Sequence, residues 1–256
     1  MSLVETNLEN EVLTITLNDE ENRNALSAQL TTELIEAIDE ADTNPNVRVV
    51  VLTNSGKVFC AGADLAERSS EKEKSSIKPV DPALLFGRFQ KSPKPYVGRI
   101  AGHCVAGGMG LAASMDISIA DETVKFGFTE VRIGVAPAVI SVVCLPKMRQ
   151  AEAKEAFLRG NRFLATEAVR MGLINSAVPA NKLDDAVKNV VADLKLGGPE
   201  AIAATKQLTS QVSGMASEEA FQWTGELSKK LFLSEEAAEG MRAYLDKRPP
   251  SWAKKR

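Results

Sequence analysis

The spacing of hydrophobic positions changes along the chain, and those changes predict its elements. "EVLTITL" (11–17) alternates around Leu13, Ile15 and Leu17, the period of a strand with one face on a core. "LTTELIEAIDEA" (30–41) then sets Leu30, Leu34, Ile38 and Ala41 at helical spacing with acids between them, which predicts an amphipathic helix. Past the turn residues Asn44-Pro45-Asn46, "VRVVVL" (47–52) is a nearly unbroken β-branched run, as suits a parallel strand covered on both faces. Strand, helix and strand in this order make a βαβ unit.

The pattern returns with variation. "PYVGRIAG" (95–102) predicts a strand, "GGMGLAASM" (107–115) a short buried helix and "DISIA" (116–120) another strand. The stretch "ERSSEKEKSSIKPVDP" (67–82) is polar, charged and proline-punctuated, and reads as a mobile surface loop. From about residue 146 helical patterns dominate. "RQAEAKEAFLRG" (149–160) and "TEAVRMG" (166–172) each end in glycine, a common helix stop. "PEAIAATKQL" (199–208) opens on Pro199 at a first helical position, with Glu200 where the helix dipole favours an acid. An α/β core with a helical C-terminal third results.

Composition narrows the function classes. The 256 residues are 44% hydrophobic and 25% charged, ordinary for a globular protein able to bury a substantial core. A net charge of −3 provides no basic field for nucleic acid or anionic lipid, so neither is expected as a partner. No apolar run reaches the roughly 20 residues of a membrane span, and the N-terminus lacks a secretory pattern. Cys60, Cys104 and Cys144 have no metal-motif spacing and lie in apolar stretches, where a thiol acts as a small hydrophobe. A cytoplasmic setting is expected.

Several chemistries drop out. His103 is the single histidine, so clusters of histidine ligands are excluded, and no Gly-x-Ser-x-Gly elbow accompanies it for a triad. A structural role at a strand end is the expectation for His103. Nucleotide-binding glycine loops of the Gly-x-x-x-x-Gly-Lys and Gly-x-Gly-x-x-Gly types do not follow a strand. Two glycine-bearing turns remain, "VFCAGADL" (58–65) and "VAGGMGL" (105–111), each after a predicted strand. Small residues there admit a ligand close to the backbone, and the second turn opens a helix whose free N–H groups point outward. Two such turns side by side would form an oxyanion hole; tight strand-helix packing without a ligand is the other reading, and spacing alone does not pair the turns.

"NRNALS" (22–27), "VFCAGADL", "VAGGMGLAASMDISIA" (105–120), "KFGFTEVRIGVAP" (125–137), "ATEAVRMGLINSAVP" (165–179) and "KKLFLSEEAAEGMRAYLDKR" (229–248) together resemble the crotonase superfamily, the enoyl-CoA hydratase/isomerase group. The resemblance implies an α/β, crotonase-like fold: repeated ββα units forming a spiral core over 1–195, with a helical trimerisation region over 196–256. It places the oxyanion-hole amides on Ala63 and Gly107. It implies an acyl-CoA thioester substrate with Arg23 near the phosphates and Ala61, Asp64 and Leu65 around adenine and pantetheine. Phe232 and Lys247 match positions that help close the coenzyme A site, sometimes from a neighbouring subunit. The family assembles as trimers or dimers of trimers, for which Phe221, Trp223, Leu231 and Phe232 offer apolar surface. Neither metal nor separate cofactor is implied, because coenzyme A is part of the substrate.

The carboxylates decide the reaction. Hydratases of this group use one glutamate three residues after the oxyanion-hole glycine and another in "FG-x-x-E". Here the first position is Gly110 and the second is Glu130, so one catalytic acid is expected. A hydro-lyase acting on a 2-enoyl-CoA is the leading expectation, with water held by the substrate's own polar group or by a loop acid such as Glu67 or Glu71. A Δ3,Δ2-enoyl-CoA isomerase, which needs one carboxylate to carry a proton between C2 and C4, is the alternative. A non-catalytic acyl-CoA binder or an RNA binder is less consistent with a retained Glu130 and an acidic chain.

Overall fold

Ten strands divide between two sheets in the computed structural model, which describes residues 2–69 and 80–253. They are β1 (Val4–Glu9), β2 (Val12–Leu17), β3 (Val49–Asn54), β4 (Val58–Cys60), β5 (Tyr96–Ile100), β6 (His103–Val105), β7 (Ile117–Asp121), β8 (Lys125–Gly127), β9 (Phe163–Leu164) and β10 (Ser176–Val178). The larger sheet has the order β1-β2-β3-β5-β7-β10 and is parallel apart from the β1–β2 hairpin. The smaller has the order β4-β6-β8-β9, with β4, β6 and β8 parallel and β9 antiparallel.

The helices are α1 (Ala28–Thr43), α2 (Leu65–Arg68), α3 (Pro82–Lys91), α4 (Gly107–Ser114), α5 (Ala138–Cys144), α6 (Gln150–Arg159), α7 (Ala165–Arg170), α8 (Leu183–Leu196), α9 (Pro199–Gln211), α10 (Ser217–Phe232) and α11 (Glu235–Leu245). Each pair β3–β4, β5–β6 and β7–β8 gives one strand to each sheet and leads into a helical segment, which is the repeating ββα unit of the expected fold. Because β4, β6 and β8 are neighbours and parallel, the segments that follow them emerge at one end of the small sheet. That end is where ligands bind in open parallel sheets.

The period of the sequence explains these elements. Leu13, Ile15 and Leu17 are buried while their neighbours on β2 are partly exposed, and every residue of β3 is buried. The two faces of β3 enter different apolar clusters: Val50 and Leu52 join the main core, Val49 and Val51 the layer beneath α8. Ser27 caps α1 by accepting from the Leu30 N–H, and Gly160 ends α6 in the left-handed region at φ +56°. All three cysteines are buried and free; burial raises each thiol's pKa, that of Cys60 to about 12, so they act as small hydrophobes at neutral pH.

Strand β1 is absent from the sequence expectation. Only Val4 of its residues is buried, so no alternation marks it, and it is held by the hairpin through Asn10 and Glu11, both at positive φ, and by Glu33 accepting from the Leu3 and Val4 N–H groups. The stretch 67–82 begins inside α2 and reaches the first residue of α3; 70–79 lie outside the described residues, as does the 254–256 tail.

The C-terminal helices join the core through Lys206 of α9. Its buried ammonium donates to the carbonyls of Phe89 at 3.0 Å and Lys94 at 2.5 Å and pairs with Asp116 at 2.9 Å. Further along, Phe221, Phe232, Leu233, Tyr244 and Leu245 stand exposed on α10 and α11.

Candidate active site

The two glycine turns meet. After β4 the chain passes Gly62 at φ +89°, and a Cβ there would lie 2.6 Å from the Ala106 Cβ and 2.9 Å from the Gly107 nitrogen. A Cβ on Gly108 would lie 2.5 Å from the Cys60 carbonyl oxygen. Only glycines allow this approach, because carbon atoms need about 3.5 Å or more. The contact supplies the pairing that spacing alone left open.

The local hydrogen bonds leave donors over. The Ala61 N–H donates to the Arg23 carbonyl at 3.1 Å and the Leu26 N–H to the Gly62 carbonyl at 2.7 Å, while Ala63 forms a parallel bridge with Leu26. Gly107 heads α4, where no intrahelical carbonyl is available to its N–H. Ala106 sits at φ +49°, a strained conformation for a side-chain-bearing residue, and is tied down by its N–H donating to the Gly127 carbonyl at 2.9 Å. That bond joins the end of β6 to the end of β8.

Glu130 follows β8 on a 3-10 turn, Thr129–Ile133, closed by Gly134 in the left-handed region at φ +80°. The residue is half-buried, and its Oε2 is buried without a hydrogen-bond partner. Burial raises the carboxyl pKa, with the residue's own backbone N–H opposing weakly. Cys144 of α5, whose thiol sulfur lies 3.6 Å from the Met109 carbonyl of α4, feels the Glu130 charge, which adds slightly to the rise that burial causes in its pKa. A carboxylate with one buried, unpartnered oxygen and a raised pKa suits proton exchange.

Gly110 shows why no acid stands there. A Cβ would lie 2.6 Å from Ile140 Cγ2 and 2.8 Å from Phe86 Cε1, so α3 and α5 already fill that volume. Neither Phe86 nor Ile140 is conspicuous in the sequence. The apolar spacing of "PALLFGRFQK" (82–91) predicts a buried helix face but not what it covers.

Of the other candidates, Arg23, Ala61, Asp64 and Leu65 are brought together. Arg23 is exposed at φ +56° with its carbonyl on the Ala61 N–H, and Leu65 is exposed at the start of α2. The Asp64 carboxylate turns inward: Oδ1 accepts from the Ala66 and Glu67 N–H groups as an N-cap, and Oδ2 accepts from Asn22 Nδ2 at 2.9 Å. Phe232 and Lys247 are exposed at the ends of α10 and α11, Phe232 on the wall of a groove shared with Leu208, Phe221 and Leu231.

Two expectations about water-holding acids resolve differently. The Glu67 carboxylate accepts from the Ala28 N–H at 2.9 Å and so caps α1, while Glu71 lies outside the described residues. His103 has its Nδ1 accepting from the Lys125 N–H at 3.1 Å, the structural role expected of it, with its pKa lowered by burial and then by Arg162 and Lys125. Among the described residues no cluster of three His, Cys, Asp or Glu could hold a metal, and no helix is long and apolar enough to cross a membrane.

Residues 7–255 match the family described as enoyl-CoA hydratase/isomerase. The chain belongs to this family, within the crotonase superfamily. It is 36% identical over 243 residues to a Thermus thermophilus relative, covering 93% of this chain and 96% of that protein. It is 32% identical over 248 residues to enoyl-CoA hydratase EchA19 of Mycobacterium tuberculosis, covering 94% of this chain and 92% of that one. The fold superposes with a TM-score of 0.89 on the crystal structure of an enoyl-CoA hydratase from Mycobacterium smegmatis, 28% identical, covering 99% of this chain and 100% of that one.

Proposed function

We propose that this protein is a hydro-lyase that adds water to, or removes it from, a 2-enoyl-CoA thioester with Glu130 as its one catalytic carboxylate. The observation that carries the reading is the contact of the Gly62 and Gly107 turns at the sheet end where the unpartnered carboxylate oxygen of Glu130 also lies. The amides of Ala63 and Gly107 donate to the thioester oxygen, which carries the negative charge of the enolate. Each such donor is worth a factor of about 10² to 10³ in rate. The water oxygen bonds to the β-carbon, its proton passes to Glu130, and Glu130 delivers a proton to the α-carbon. Arg23, Ala61, Asp64 and Leu65 hold the coenzyme A portion.

One observation favours a second reading. With Phe86 and Ile140 filling the space at Gly110, a carboxylate that shuttles a proton between C2 and C4 suffices for a Δ3,Δ2-enoyl-CoA isomerase, and no water is required. The exposed apolar side chains of α10 and α11 support a trimer or dimer of trimers built through the region after residue 196, with Phe232 and Lys247 closing a coenzyme A site across subunits. We place the enzyme in the cytoplasm.

Panels of 2-enoyl-CoA and 3-enoyl-CoA thioesters, including a branched glutaconyl thioester, separate the two reactions by product mass. Gain of one water marks the hydratase; unchanged mass with a moved double bond marks the isomerase. Glu130→Gln is expected to lower either rate by about 10² to 10⁴. Turnover that survives this change overturns the mechanism.

A further inference from the structure

We propose that Ile140 and Phe86 together are specificity-determining residues: they occupy the volume that a carboxylate at position 110 of α4 needs, and so keep a second acid off that helix. The proposal rests on the reading of Glu130 and the two turns as an acyl-CoA site.

The missing acid is more than one substitution. A glutamate at Gly110 must first place its Cβ, and that atom would stand 2.6 Å from Ile140 Cγ2, 2.8 Å from Phe86 Cε1 and 2.9 Å from Phe86 Cζ. Each distance falls well inside the ~3.5 Å at which carbons touch. Phe86 and Ile140 are 4% and 5% exposed and belong to the main core, where side chains are close-packed.

The helix that carries Phe86 is held at both ends. Asp81 caps its start by accepting from the Ala83 N–H, and Pro82 opens the first turn. Near its end Arg88 bonds to Asp39 and, at 3.0 Å, to Asp42 of α1, while Lys206 of α9 donates to the Phe89 carbonyl at 3.0 Å. α3 also packs directly on α4 and α5. Anchored α3 thus presents Phe86, beside Ile140 of α5, as the wall facing Gly110. The flank of α4 beside Gly110 is apolar, and α4 itself offers no carboxylate to share water there with Glu130. Unactivated 2-enoyl thioesters, whose hydration draws on two acids, are the substrates this wall disfavours.

The test measures volume and chemistry separately. Gly110→Ala is made in the wild-type and Phe86→Leu/Ile140→Ala backgrounds, the second lacking all three crowding atoms, and followed by thermal unfolding. The expected result is a clear drop in Tm in the first and a drop less than half as large in the second; equal drops overturn the proposal. Gly110→Glu is then made in both backgrounds and assayed with crotonyl-CoA for hydration and with butyryl-CoA, whose saturated α-carbon bears an acidic proton, for exchange of that proton with deuterated water. A rise in hydration of about tenfold or more in the Phe86→Leu/Ile140→Ala background, with none in the wild type, supports the assignment. A Gly110→Glu protein that keeps the wild-type Tm and gains hydration unaided overturns it, as does no gain in either background while exchange is intact. Loss of α-proton exchange in every protein, wild type included, sinks the reading of the site instead.

Discussion

The glycine turns at the end of the small sheet and the helix pair α10–α11 are built on opposite terms. Around Gly62, Gly107 and Gly108 the backbone is packed so closely that one added methyl group meets an atom within 3.0 Å. On the helix pair, Phe221 is 80% and Leu233 87% exposed, with Tyr244 and Leu245 beside them in the open. The turns owe their close approach to glycines in the chain's own backbone. The helices carry apolar surface that the chain alone does not cover, the mark of an interaction surface.

The sharpest way to break this contrast is Gly62→Ala. At φ +89° with Ala106 Cβ 2.6 Å from the added atom, the change is expected to cost about 2–4 kcal/mol in urea unfolding and to lower turnover with it. An unchanged midpoint means the turns are not locked together.

A smaller effect belongs to Glu130→Gln, read as stability against pH. Burial raises the Glu130 pKa above its ordinary 4.5, so the folded state holds this proton more tightly than the unfolded state. Its contribution to stability is fully present below 4.5 and is lost as pH rises through the raised value. The amide variant is therefore expected to unfold at a higher temperature than wild type at pH 8, with the gap closing as pH falls toward 4.5. A wild type that is the more stable of the two at pH 8 contradicts the sign.

The least effect on the folded chain is expected from Phe221→Ser with Leu233→Ser. Both side chains are exposed, so unfolding of the isolated chain should shift by no more than about 0.5 kcal/mol per site. Sedimentation should show smaller assemblies. Unchanged assembly size places the subunit contacts elsewhere.

What was legible in the sequence follows from short-range physics. The alternation of Leu13, Ile15 and Leu17, the β-branched run into β3, Pro199 opening α9 and Gly160 closing α6 all depend on a residue and its near neighbours, and all appear as expected. Strand β1 was not legible because its hold is backbone pairing with β2 and Glu33 across the chain, with Val4 its only buried residue. Asp64 shows the same limit within the site: its motif position is plain, but only the fold reveals that its carboxylate is used up by Asn22 and the α2 cap.

The sequence by itself determined which conformations and chemistry are available: glycines at 62, 107 and 108, a carboxyl at 130, and no acid at 110. Tertiary structure alone decided that the two turns touch, that Glu130 emerges at the same sheet end, and that Phe86 and Ile140 take the volume beside Gly110. The reason is range. A side chain's period or a glycine's freedom is a property of a few successive residues, whereas occupied volume and strand adjacency belong to segments that meet only when the whole chain has packed.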